Sequence, residues 1–211
     1  MRTSMPVPRS PAKRGSEEHS YAIANPMHKP NPPAAYLLGW RQAARTSRLE
    51  DAVMIRPVTP ADTPAVLALT DATGVFKKHE VQALQEVLDE YHASNHGYGH
   101  VAIVDERDGR IAGYAYYAPA AMTDRSWYLY WIAVTKQIQA KGIGSGLLRH
   151  AEGEIRRRNG RVLFIETSSL PHYDPTRKFY LKHGYEVTGV LRDYYADGDD
   201  MVVFRKHLAE K

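Results

Sequence analysis

Along residues 53–208 the apolar positions recur with two alternating periods. Val53-Met-Ile-Arg-Pro-Val58 has the β-branched, apolar content of a strand. Thr59-Pro-Ala-Asp62 then opens a helix, with Thr59 as its cap and the Asp62 carboxylate three residues on. Val81, Leu84, Val87, Leu88 and Tyr91 stand at helical spacing and predict a helix over 77–92. Residues 98–105 and 111–118 read as strands joined by the hairpin turn Arg107-Asp108-Gly109-Arg110. An aromatic-rich strand follows over 127–134, then a helix over 147–158 that ends near Asn159-Gly160. Val162-Leu-Phe-Ile-Glu166-Thr is again a strand. A short helix comes next, with Asp174 as N-cap, Pro175 at its first position, Phe179 and Tyr180 in its middle and Gly184 as its stop. Residues 185–191 predict a strand and 192–200 a turn-rich connection centred on Asp197-Gly198. Residues 201–208 form the returning strand. The succession of strands and helices predicts an α/β domain with a mixed, twisted sheet of about seven strands flanked by helices.

Residues 1–50 break the pattern. Up to Pro33 they are rich in Pro, Ser, Lys and Arg without periodicity, and predict a largely disordered, basic, Pro-rich extension. A short amphipathic helix is predicted over 34–45, with Tyr36, Leu37 and Trp40 on one side, packing on the domain or on a partner subunit. Arg2, Arg9, Lys13 and Arg14 suit a targeting peptide, but Glu17, Glu18 and the prolines argue against one. The folded domain is expected over 51–211. Its apolar content, 43% of the whole chain, is enough for a sizeable core. The absence of cysteine excludes disulfides, thiolate metal sites and a cysteine nucleophile, and suits a reducing, cytoplasmic setting. No apolar run approaches membrane-spanning length, so no membrane partner is expected. A net charge of +4 suits an anionic ligand without demanding nucleic acid. The Arg156-Arg157-Arg158 run reads as a solvated face at the negative end of a helix rather than as a nucleic-acid patch.

The candidate chemistry centres on Gln139-Ala-Lys-Gly142-Ile-Gly144-Ser-Gly146, which lies between a strand and a helix. A glycine turn running into a helix N-terminus exposes backbone N–H groups, and the helix dipole adds partial positive charge, so a pyrophosphate site is predicted. The spacing fits neither the P-loop nor the dinucleotide fingerprint.

Gln139-x-x-Gly142-x-Gly144 instead resembles the acyl-CoA motif of the GCN5-related N-acetyltransferases, the GNAT superfamily. Phe179-Tyr180-x-x-x-Gly184-Tyr185 resembles a second block of that family, in the right order with a strand between. Tyr194-Tyr-Ala-Asp-Gly-Asp-Asp200 is similar to the last hairpin of protein N-terminal acetyltransferases. The resemblance implies a mostly antiparallel sheet whose fourth and fifth strands splay apart. It also implies acetyl-CoA as co-substrate, no metal, and acetyl transfer to a primary amine through a ternary complex.

By the same resemblance Gln139, Lys141, Gly142, Ile143, Gly144, Ser145 and Gly146 hold the pyrophosphate, Lys141 being equally readable as a solvated loop cation. The main chain of Ile132, Ala133 and Val134 pairs with the pantetheine, and an N–H near Val134 serves the oxyanion. Tyr180 is the expected acid for the leaving thiolate. Glu166 matches the glutamate base of ribosomal-protein N-terminal acetyltransferases, with Tyr130 and His172 as alternatives. The 167–177 stretch departs from the protein N-terminal acetyltransferases, being longer and lacking asparagine, so Arg177 is expected at the cofactor and the acceptor stays open among small amines, amino acids and peptide N-termini. Tyr116, Tyr117, Trp127, Tyr128, Tyr130 and Trp131 are candidate lining for the acceptor cleft, half of them turned to the core by strand alternation. Tyr194, Tyr195 and the aspartates of 197–200 are candidates for its rim. A homodimer is a family-level expectation. A non-catalytic acyl-CoA sensor using the same pocket is the alternative.

Overall fold

A computed structural model of the chain describes residues 54–136 and 142–208. The extension over 1–50 with its 34–45 helix, and also Gln139 and Lys141, lie outside the described residues. The elements are β1 (Met54–Pro57), α1 (Thr63–Ala72), α2 (Lys78–Ala93), β2 (Val101–Arg107), β3 (Arg110–Pro119), β4 (Ser126–Val134), α3 (Ile143–Arg157), β5 (Val162–Ser168), α4 (Asp174–Lys182), β6 (Glu186–Ala196) and β7 (Asp199–His207). Seven strands form one sheet in the order β1-β2-β3-β4-β5-β7-β6. Each neighbouring pair is antiparallel except β4–β5. No helix among the described residues is long and apolar enough to cross a membrane.

Side-chain alternation along the strands divides the core in two. On one face Val101, Ile103, Ala115, Tyr117, Trp127, Leu129, Leu163, Ile165 and Phe204 pack against Ile143, Leu147, Leu148, Ala151 and Ile155 of α3 and Tyr180 of α4. On the other, Ala102, Val104, Tyr114, Tyr116 and Ala133 pack against Val66 and Leu69 of α1 and Leu84, Leu88 and Tyr91 of α2. The β2–β3 hairpin turns through Asp108 (φ 50°) and Gly109 (φ 71°), the pair of positive φ values that a two-residue turn between right-twisted strands requires. At the entry to α1, the Asp62 carboxylate accepts the Thr59 N–H at 2.8 Å and the Thr59 hydroxyl at 2.7 Å, and Arg56 clamps it from β1 at 2.7 and 2.8 Å.

Several boundaries differ from the sequence expectation; β2, for one, begins at Val101 rather than 98, because Asn95–Tyr98 forms a 3₁₀ turn. Helix α3 begins at Ile143 rather than 147, so Gly144 and Gly146 are helical and only Gly142, at φ 74°, takes the left-handed conformation. Glycine costs a helix about 1 kcal/mol per position. Burying the Ile143 side chain completely offsets that, since burial of an isoleucine is worth about 1.5–3 kcal/mol. Helix α4 begins at Asp174 itself, after a 3₁₀ turn over Pro171–Tyr173, so Asp174 sits inside the first turn rather than at the cap. Strand β6 runs on through 192–196, which reads as a connection in sequence. Its polar composition reflects an edge strand exposed along almost its whole length.

Candidate active site

The parallel pairing of β4 and β5 is short. It joins Ser126–Leu129 to Val162–Ile165 and stops. Beyond it β4 pairs only with β3, and β5 only with β7. The register between β3 and β4 shifts at the same place: Tyr116 faces Trp131 while Tyr117 faces Leu129, which leaves Tyr130 as the extra residue of a β-bulge. A bulge bends and twists its strand. Here it turns β4 away from β5 and opens a gap between residues 130–134 and 166–168. The Thr135 N–H is bonded to Ala112 O of β3. Strand alternation therefore turns the peptide groups of Ala133 toward β3 and those of Ile132 and Val134 toward the gap.

The N-terminus of α3 lies at one end of this gap. A Cβ placed on Gly144 would meet Val134 Cγ2 at 3.5 Å and Phe179 Cζ at 3.6 Å, so the first turn of α3, the end of β4 and α4 meet at one corner. The Gly146 N–H is bonded to Gly142 O as the first rung of the helix. It is therefore not among the amides open to an anion, in contrast to the sequence expectation. The amides of Ile143, Gly144 and Ser145 precede that rung and are the ones a helix start leaves for a ligand. The Ile143 side chain is core, and the Ser145 hydroxyl lies 2.9 Å from His183 Nε2, so both offer their main chain. His183 Nδ1 is 2.8 Å from Phe179 O and must donate to it.

Tyr180 and Glu166 lie on opposite faces of the sheet. Tyr180 sits in the α3–α4 layer beside Phe179, Tyr185 and Phe204. Burial pushes its phenol well above the ordinary tyrosine range. No described residue hydrogen-bonds its hydroxyl. Because no sealed side-chain polar atom among the described residues lacks a partner, that hydroxyl is not completely sealed. Glu166 projects with Phe164 from the other face, half-buried and without a hydrogen bond from any described residue. Burial raises its pKa above the usual carboxylate value. The Tyr128, Tyr130 and Tyr195 phenols are each pushed up, chiefly by burial and further by the Glu166 charge, which places all three around that carboxylate.

Residues 97–187 match the acetyltransferase (GNAT) domain. A protein of Desulfovibrio desulfuricans assigned to the GNAT family is 36% identical, and its structure superposes with a TM-score of 0.72 over 75% of this chain and 100% of that one. The chain belongs to the GNAT acetyltransferase family. An uncharacterised N-acetyltransferase of Methanocaldococcus jannaschii is 32% identical over 106 residues, 49% of this chain, and the match spans 64% of that protein's length. A Salmonella typhimurium protein assigned as an acetyltransferase, solved with its cofactor acetyl-CoA, shares the fold at 18% identity, with a TM-score of 0.61 over 76% of this chain and 96% of that one.

Within this GNAT domain several expected site residues serve the fold. Arg177 donates to Ser168 O and Asp174 Oδ1, and to Leu170 O at 3.1 Å, holding its own β5–α4 loop rather than reaching out to a cofactor. Asp199 accepts from the Ser168 hydroxyl at 2.5 Å, Asp200 from the Asp193 N–H at 2.9 Å and Asp193 from the Gly198 N–H at 2.7 Å. The acids expected at an acceptor rim are thus largely taken up in shaping the hairpin. Tyr117 and Trp127 face α3, whereas Tyr116 and Trp131 lie in the α1–α2 layer, Trp131 against Phe76 at 5.3 Å. Tyr128 and Tyr130 share that second face, closer to Glu166. His172 is exposed, its ring 4.5 Å from that of Tyr173. Three features were not legible in the sequence: the bulge at Tyr130, the His183–Ser145 link and Tyr173, whose phenol is coupled to that of Tyr195. A histidine just before the helix-ending Gly184 was the one available signal for the second. Among the described residues no group of three His, Asp or Glu side chains is placed to hold a metal ion.

Proposed function

We propose that the chain is an acetyl-CoA-dependent N-acetyltransferase that transfers acetyl directly to a primary amine within a ternary complex. The parting of β4 from β5 supports this reading, with Tyr180 in the helix layer on one face of the sheet and Glu166 on the other. The first-turn amides of α3 suit the pyrophosphate, with Gly142 providing the left-handed entry. The edge of β4 beyond Leu129 suits the extended pantetheine.

Acetyl-CoA supplies an activated thioester carbonyl. The Glu166 carboxylate takes a proton from the incoming ammonium, directly or through water. The freed amine attacks the carbonyl carbon, a C–N bond forms and the C–S bond breaks. The Tyr180 hydroxyl gives its proton to the departing thiolate, and the second proton lost by nitrogen restores the phenol through solvent. The products are the N-acetyl amide, CoA thiol and one proton. Burial suits both groups: a raised phenol pKa keeps Tyr180 protonated, and a raised carboxylate pKa makes Glu166 a better base.

Calorimetric titration of acetyl-CoA into wild type and Gly144→Glu is the first test. The glutamate would have to pass between Val134 and Phe179 and would bring negative charge to the anion site. Micromolar binding by wild type that the variant loses, followed by amine-dependent release of CoA thiol, supports the reading. Binding without transfer to any amine would turn it to an acyl-CoA sensor, and no binding would remove it.

A further inference from the structure

The face that carries Glu166 is built mainly from aromatic rings. The Tyr128 ring is 5.5 Å from Phe164 and 5.7 Å from Tyr130, and Tyr130 is 6.1 Å from Tyr116. Tyr195, from the β6–β7 hairpin, is 42% exposed and stands edge-on to Tyr194 at 5.0 Å. Tyr173, on the β5–α4 loop, has its phenol pushed up to about 12, first by burial and then by the charges of Glu80 and Asp199. Phenols from β4 and the hairpin therefore lie in the field of one carboxylate, Glu166.

The charge on this face is equally specific. Glu166 has no hydrogen bond from a described residue, whereas its acidic neighbours are engaged. Asp199 is held by Ser168, and Asp193 and Asp200 stitch the hairpin. Glu80 accepts the Lys77 N–H at the start of α2, and Asp174 is paired with Arg177. On the strand beside Phe164, Arg205 is neutralised by Glu186 at 2.7 Å. The Glu80, Asp193, Asp199 and Asp200 carboxylates keep their charge but are committed to the main chain and to Ser168, so Glu166 is the described carboxylate left to bond a ligand within apolar and π surface. An ammonium gains from both a carboxylate and ring faces. A polar body on the same molecule would be desolvated over ring faces that offer it no hydrogen bond.

We propose that the acceptor is a primary amine on an aromatic or apolar body, its ammonium at Glu166 and its body against Tyr128, Phe164 and Tyr195. Amines on polar bodies, polyamines and aminosugars among them, are disfavoured. This deepens the acetyl-transfer reading and rests on it.

The test is initial-rate kinetics of the full chain at saturating acetyl-CoA with 2-phenylethylamine, spermidine and kanamycin, beside calorimetric titration of acetyl-CoA. The expected result is a kcat/KM for 2-phenylethylamine about tenfold or more above either polycation, the scale on which an apolar pocket discriminates. Tyr195→Ala, at an exposed ring that the core does not need, and Phe164→Leu should each raise KM for 2-phenylethylamine severalfold while acetyl-CoA affinity stays unchanged. Equal or better use of spermidine or kanamycin overturns the acceptor class and leaves acetyl transfer standing. So does a KM indifferent to both substitutions. Acetyl-CoA binding with no turnover of 2-phenylethylamine also overturns it. Failure to bind acetyl-CoA removes the acetyl-transfer reading itself and this inference with it.

Discussion

At the scale of single residues, two side chains separate chemistry from binding. Tyr180→Phe removes one oxygen from a ring packed on Phe204 and Tyr185, so the fold and the cofactor site should survive it. Its kcat should fall by about a hundredfold or more, the usual scale for losing a general acid. The dissociation constant for acetyl-CoA should stay within about twofold. Steady-state kinetics beside calorimetry distinguish this from a structural tyrosine, for which kcat would hold. Glu166 acts through its pH dependence. A base must be deprotonated, and burial raises this carboxylate, so the acid limb of kcat/KM should lie above the ordinary glutamate value of about 4.3. Glu166→Gln should abolish that limb, and an unchanged limb in the pH–rate profile would assign the base elsewhere.

Secondary-structure elements carry predictions of another kind, about stability. Helix α3 ends with Asn159 in the left-handed conformation at φ 60°, which leaves Gly160 without that duty. Gly160 is glycine for lack of space. A Cβ there would stand 2.2 Å from Ile155 Cγ2 and 2.7 Å from Trp127 Nε1. Gly160→Ala should therefore cost about 1–3 kcal/mol by overpacking, read as a lowered midpoint in urea. At the start of α1, Asp62→Asn should cost about 1–3 kcal/mol at neutral pH through weaker bonds to Arg56 and Thr59. The Asp62 carboxyl is held well below the usual range, first by its hydrogen bonds to Arg56. A depressed folded pKa gives stability that is complete above the unfolded value of about 3.9 and lost as pH falls below it. The gap between wild type and Asp62→Asn, followed by denaturant titration, should narrow on that acid side.

For the molecule as a whole, helices α3 and α4 must be held together over a sheet that is split in the middle. Glu152, 4% exposed on α3, accepts Lys206 Nζ from β7 at 2.8 and 2.9 Å and the Tyr185 hydroxyl at 3.0 Å. Lys206 also donates to His183 O at the end of α4, at 2.8 Å. This knot ties α3 to α4, the helix that carries Tyr180. Glu152→Ala leaves Lys206 without its buried carboxylate and should destabilise the fold by about 3–5 kcal/mol. In the fraction still folded, KM for acetyl-CoA should rise as α3 and α4 lose their register. A variant with wild-type melting and kinetics would show that the helices are held by apolar packing alone.

Local order in the sequence determined most of the strands and helices, the Asp108-Gly109 hairpin and the Phe179-Tyr180 block. Each depends on residues a few positions apart, whose spacing states which face is buried and where the chain turns. Tertiary structure decided what depends on distant partners. Ile143 pulls α3 four residues toward the glycines because its side chain is buried against β3 and β4. The polar run over 192–196 becomes strand because it folds back along β7, Ala196 pairing with Asp199 and the Asp193 N–H bonding the Asp200 carboxylate. The bulge at Tyr130 sets two adjacent aromatics, Tyr130 and Trp131, on one face, which strict alternation forbids. Asp199 and Asp200, which read as part of an amine-attracting rim, prove to hold the hairpin, because Ser168 and the hairpin's own amides lie within reach. Glu166 stays free for the opposite reason: β4 has turned away from β5, and no partner from either strand comes close enough to bond it.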